Sequence, residues 1–236
     1  MFARDAFVLY SGGGTPLTNN YSQYLQARAM SAFLLERYPE DSVWIFFGAG
    51  NREGEAPVFS DVRRQIKEDG VILESWLPGV LPHNRLADKE TFLATLRDEV
   101  LPTVRDGGTL YLFVGDHGTQ QKDGLKESLI TLWQMKRTNT AGGWRSDPKE
   151  ELSVTELREV IAAGIGSGRV VFCMTQCHSG GFHHLGVPRQ ITPPGEWFEG
   201  FMPDWAAPGD EVELPSAAGF SATDEDSLAA GCDPDP

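Results

Sequence analysis

The sequence has no long hydrophobic run, few cysteines, and too few basic residues to balance its acids. Its longest apolar runs are four to six residues, far short of the roughly 20 that a membrane-spanning helix requires. The opening stretch MFARDAFVLYSGGG has too short an apolar run and no small-residue cleavage site, so no secretory signal is expected. Cys173, Cys177 and Cys232 make an odd count, and the first two sit four apart at one predicted strand, which is a poor disulfide arrangement. Free thiols of this kind suit a reducing compartment, so a cytoplasmic location is expected. With 34 acidic and 20 basic residues, the net charge of −14 repels phosphate backbones and anionic lipid. Neither nucleic acid nor a membrane is therefore expected as a partner. The glycine stretch SGGGT lacks the lysine of a phosphate-binding loop and the full dinucleotide pattern.

What the chain does contain is a series of short, continuous apolar blocks: FVLY (7–10), VWIFF (43–47), LYLFV (110–114) and VVFCM (170–174). None alternates apolar with polar, as expected for strands of a parallel sheet covered on both faces. Helical patterns lie between them. The spacing predicts helices over 21–37, 61–69 (Ser60 as cap, Gly70 as stop) and 89–104 (Asp88 as cap, with Pro102 able to shorten it). A fourth begins at the capping box formed by Ser153 and Glu156. The segment 216–222 reads as one further strand. The expected fold is α/β, a three-layer αβα sandwich with a mostly parallel central sheet, in one domain of 236 residues. A flexible polar insert at about 136–150, a long proline-rich loop at about 185–215 and a frayed acidic tail at about 224–236 complete this reading.

Each apolar block runs directly into a small or glycine-rich segment: SGGGT, GAGN, GDHGT and TQCHSGG. In an open parallel sheet the strand C-termini share one edge, and ligands bind just outside it. His117 and Cys177 would both project from that rim. An imidazole beside a thiol supports thiolate formation and later protonates a leaving amine, which is the chemistry of acyl transfer. The N–H groups of Gly118 and Cys177 are candidate oxyanion donors. Cys173, inside its strand, reads as an inert small apolar group. The rival chemistry is zinc binding by Cys173, Cys177, His178, His183 and His184, but their spacing matches no paired-knuckle pattern. No metal and no cofactor is expected.

In combination these blocks resemble the caspase and legumain clan of cysteine peptidases. LYLFVGDHGT (110–119) is similar to the legumain block in which an aspartate precedes the histidine. VVFCMTQCHSGG (170–181) resembles the Cys-x-Ser-Gly turn of legumains and metacaspases, and GFSATDEDSLAA (219–230) resembles the strand beside the substrate. The chain departs from the clan in carrying Thr175 two positions before the cysteine, with Gln176 adjacent, and in lacking a clear match to the caspase specificity arginines. The resemblance implies a caspase-like fold and a cysteine endopeptidase acting on proteins or peptides through a thioester acyl-enzyme. His117 would be the general acid/base and Cys177 the nucleophile, with Gly118 and Cys177 as oxyanion donors. Asp116, Gln176, Ser221, Asp224 and Asp226 are the expected substrate-binding residues. The acids Asp116, Asp224, Glu225 and Asp226 would form a negative rim favouring Arg or Lys before the scissile bond. Lys136, Arg137 and Arg145 in the insert are candidate sites for cleavage by an upstream activating protease. A catalytically idle scaffold and a transamidase using the same dyad are the alternatives.

Overall fold

The structure, a computed structural model, describes residues 4–51, 60–121, 127–137, 144–146, 150–186 and 216–229. Its centre is a parallel sheet assembled from the predicted apolar blocks. In chain order the strands are β1 (Ala6–Ser11), β2 (Val43–Phe47), the hairpin strands β3 (Ser60–Glu68) and β4 (Val71–Pro78), and the short β5 (Asn84–Arg85). They continue with β6 (Thr109–Gly115), β7 (Gly118–Gln120), β8 (Ser128–Thr131), β9 (Met135–Arg137), β10 (Trp144–Ser146), β11 (Glu151–Ser153), β12 (Arg169–Met174) and β13 (Ser216–Ser221). The helices are α1 (Tyr21–Arg37), α2 (Lys89–Thr95), α3 (Leu101–Val104) and α4 (Val154–Gly164).

Six strands form the main sheet in the order β13-β12-β6-β1-β2-β5, and every neighbouring pair is parallel. Side chains alternate across it, as the pleat requires. Val8, Tyr10, Phe46, Leu112, Val170, Phe172 and Met174 point into a core shared with Phe92, Leu96, Leu101, Leu157 and Ile161 of the α2–α4 layer. Phe7, Leu9, Ile45 and Phe47 point the other way, onto Ala27 and Leu34 of α1. Helices thus flank both faces of the sheet, the layered α/β architecture expected. Among the described residues no helix is long and apolar enough to cross a membrane.

The helix caps follow their sequence signals. Asp88 accepts from Thr91 N at 2.8 Å, and Ser153 and Glu156 close a reciprocal box at 3.1 and 3.0 Å. Pro102 does not end its helix. The backbone stays helical through it, and a π segment at Leu96–Val100, where Leu101 N–H donates to Leu96 O, immediately precedes the proline, an irregularity of the kind that accommodates a residue without an N–H.

Four expectations are corrected. The helix predicted at 61–69 is the strand β3, paired antiparallel with β4. Asp69 and Gly70 join the two with φ of 49° and 80°, the doubly left-handed turn that favours Asp-Gly and drives the chain into a hairpin. Part of the insert is ordered, because β9 and β10 pair with Lys136 opposite Arg145. Cys173 is not core: it is part-exposed, on the face opposite Met174, whereas α1 packs on β1, β2 and β6. Within the acidic tail, residues 224–229 are bonded to the loop after β12. Residues 187–215 and 230–236, with most of the proline-rich loop and Cys232, lie outside the described residues.

Candidate active site

β6 and β12 are adjacent, with Phe113 opposite Cys173 and Val114 opposite Met174. His117 and Cys177 each follow three residues after the last of these pairs, so the two loops leave the sheet edge in register. The backbones then meet. A Cβ built on Gly118 would collide with the Cys177 carbonyl oxygen and lie 2.7 Å from Gln176 Cγ. Only glycine permits the approach.

The orientation of His117 comes from a third loop. Its Nε2 lies 2.8 Å from the carbonyl oxygen of Thr18, and a carbonyl only accepts, so Nε2 carries the proton. In the neutral ring Nδ1 is then the nitrogen left to take a proton. The Asn20 amide nitrogen also approaches Nε2, at 3.4 Å. Neither Thr18 nor Asn20 was expected from the sequence. A backbone carbonyl has no residue signature, and only the adjacency of β1 and β6 brings it to the histidine.

Gly118 begins β7, which pairs antiparallel with β8. Thr131 N donates to His117 O at 3.0 Å, which marks the bonded position of the ladder. Positions alternate, so the N–H of Gly118 turns away from β8. His178, directly after the cysteine, is left-handed with φ of 58°, a sharp change of direction that histidine tolerates better than most residues. The thiol of Cys177 is half-buried, and Ala229 N donates to its Sγ at 3.3 Å.

The expected substrate-binding residues separate into two groups. Asp116 and Gln176 are not on the rim. Asp116 is 5% exposed, and its Oδ1 accepts from Gly13 N at 2.9 Å and His117 N at 2.6 Å. Its other oxygen is buried and has no hydrogen-bond partner among the described residues. Burial pushes its carboxyl up to about 8, so it is mainly neutral at pH 7 and adds little negative charge to the site. Gln176 is 1% exposed, with its amide nitrogen on Met174 Sδ at 3.7 Å. Ser221 donates to Ser179 O at 3.0 Å and so braces the cysteine loop. Asp224 and Asp226 are exposed beside that loop. A hydrogen bond from Ser227 is the main influence holding the Asp224 carboxyl below its ordinary value.

Among the described residues, no group of three or more His, Cys, Asp or Glu side chains could hold a metal ion. The sequence was compared with protein-family models and with curated proteins, and it matches none. The site's chemistry rests on its geometry and on the motif resemblance.

Proposed function

We propose that the protein is a cysteine endopeptidase of caspase-like type, with Cys177 as nucleophile and His117 as general acid/base. One observation carries this reading: the close approach of Gly118 to the Cys177 carbonyl, which joins the histidine and cysteine loops at one rim. Thr18 holds Nε2–H, so Nδ1 takes the thiol proton. The thiolate adds to the substrate carbonyl carbon, and the oxyanion faces the N–H groups of Gly118 and Cys177. The protonated imidazole gives its proton to the departing amine as the C–N bond breaks, leaving a thioester. His117 then deprotonates water, which attacks the thioester and frees the acid and the thiol.

The exposed carboxylates of Asp224 and Asp226 favour a basic residue before the scissile bond, a narrower rim than four acids would make. Cleavage by an upstream protease at Lys136, Arg137 or Arg145 would have to open the β9–β10 ladder first. A cytoplasmic setting fits the half-buried free thiol, since reactive thiols persist under reducing conditions.

The test is proteolysis of an unstructured protein by wild type, Cys177→Ala and His117→Ala, with and without a thiol alkylator. Cleavage should require both side chains and disappear on alkylation. Equal cleavage by wild type and Cys177→Ala would overturn the assignment. A panel of fluorogenic peptides separates the specificities, and preference for Asp or Asn over Arg would remove the basic-residue proposal.

A further inference from the structure

After β13 the chain does not leave the molecule. Thr223 and Ser179 exchange hydrogen bonds, each N–H donating to the other's hydroxyl at 3.2 Å. The chain then turns, with Asp226 N donating to Asp224 Oδ1 at 3.0 Å, and runs back over the cysteine loop. Both halves of the site hold it. From the histidine side, Gln120 Nε2 donates to Glu225 O at 3.0 Å and to Asp226 Oδ1 at 3.1 Å. From the cysteine side, His178 Nδ1 donates to Glu225 O at 2.9 Å and His178 N to Ser227 O at 2.8 Å. The run ends with Ala229 N on Cys177 Sγ at 3.3 Å, and with Ala229 O at 4.0 Å from the same sulfur.

We propose that residues 224–229 are a displaceable strap that shields Cys177 and must lift before the thiol meets an external reactant. The seat also fits this segment tightly, since a Cβ on Gly180 would lie 2.5 Å from Asp224 Cα. The strap is gripped at three main-chain atoms, Glu225 O, Ser227 O and Ala229 N, and at the side-chain carboxylates of Asp226, bonded by Gln120, and Glu225, 4.0 Å from His184 Nε2. Its large apolar side chain, Leu228, is 72% exposed. A hold made of exchangeable hydrogen bonds is a mark of a segment that opens at low cost. An incoming peptide offers the same carbonyl and N–H groups, so it can replace the strap bond for bond. The strap deepens the proposed peptidase reading by gating its nucleophile, while the shielding of the sulfur is measurable whether or not the thiol is catalytic.

The experiment is alkylation by iodoacetamide at fixed pH, with each cysteine followed separately by peptide mass spectrometry, on wild type, Gln120→Ala and Ala229→Pro. Gln120→Ala removes two tethers, and Ala229→Pro removes the N–H that rests on the sulfur. Each should speed modification of Cys177 by about fivefold or more, the scale of losing one or two net hydrogen bonds, with Cys173 unchanged. The proposal fails if Cys177 reacts within about twofold of wild type in both variants, a change smaller than one typical net hydrogen bond. It also fails if Cys173 accelerates in parallel, because the whole fold would then have loosened. Faster alkylation in variants that hydrolyse no peptide retains the strap and removes the peptidase. Peptide hydrolysis with unaltered alkylation does the reverse.

Discussion

Asp61 and Asp116 tie loops together at two places in the molecule, one in the hairpin region and one at the candidate site. Asp61, at the start of β3, accepts from Ala49 N at 3.2 Å through Oδ2 and from Gly79 N at 2.8 Å through Oδ1. Asp116 takes both of its N–H groups, from Gly13 and His117, on the single oxygen Oδ1. Burial raises both carboxyls. Asp61 has a donor for each oxygen. Asp116 has one buried oxygen with no partner among the described residues, and its carboxyl is pushed up to about 8. The same side chain has an N–H donor on each oxygen in one region and both donors on a single oxygen beside His117. Incomplete satisfaction next to a site is the pattern expected where function competes with stability.

The largest contrast should come from His117, beside one fastening, and from Asp61, which is the other. His117→Ala should lower peptide hydrolysis by about 10²–10⁴-fold, the scale of losing a general acid/base, with little change in thermal midpoint. Asp61→Asn should instead cost about 1–3 kcal/mol of stability by setting an amide N–H against a backbone donor, as read by urea denaturation. Its folded fraction should hydrolyse peptides as wild type does. An Asp61 variant that is stable but inactive would break the distinction between the two regions.

A smaller effect is expected from adding one methyl group at each place. Gly118→Ala drives a Cβ into the Cys177 carbonyl, so kcat should fall by up to about 100-fold for a displacement near 1 Å. Gly79→Ala sets a Cβ 2.6 Å from Asp61 Oδ1. It should lower stability by about 1–3 kcal/mol and leave kcat per folded molecule unchanged. Matching losses of kcat in the two variants would mean that both regions act on the thiol.

The smallest effect is on pH dependence. Folded Asp116 keeps its proton up to about 8, whereas the unfolded chain releases it near 3.9. The folded state therefore binds the extra proton between these values, and the resulting stabilisation is complete below the lower value and lost as pH rises through the upper one. Asp116→Asn removes the group, so the thermal midpoint should decline less between about pH 5 and pH 8 than in wild type. Asp61→Asn should flatten the curve less, because each Asp61 oxygen has an N–H partner. A curve unchanged by Asp116→Asn would show that this carboxyl is ionised in the fold.

Much of the scaffold was legible because its signals are local. The blocks at 7–10, 43–47, 110–114 and 170–174 are strands, the capping box at Ser153 starts α4, and Asp88 caps α2. The hairpin was missed although Asp69-Gly70 is a strong turn signal, because IKEDG also reads as the end of a helix. Pro102 was read as a possible stop because a π segment has no clear sequence signature. At the site, the types His117, Gly118 and Cys177 were readable, and the rim they share follows from parallel strands. The burial of Asp116 and Gln176 was not readable. Each lies beside an exposed or half-exposed neighbour, and which one turns inward depends on packing from other strands. The strap was hidden for a related reason: TDEDS has the composition of a solvated turn, and its partners Gln120 and His178 are far away in the chain.

The amino-acid order alone determined the kind of element at most positions, the parallel habit of the sheet and the residue types able to do thiol chemistry. These depend on periodicity and capping within a few neighbouring residues. Tertiary structure alone decided that Thr18 orients His117, that Asp116 is buried with both its N–H donors on one oxygen and that Ala229 rests on the sulfur. Those facts depend on contacts between distant segments and on the loss of water around them, which no short stretch of sequence encodes.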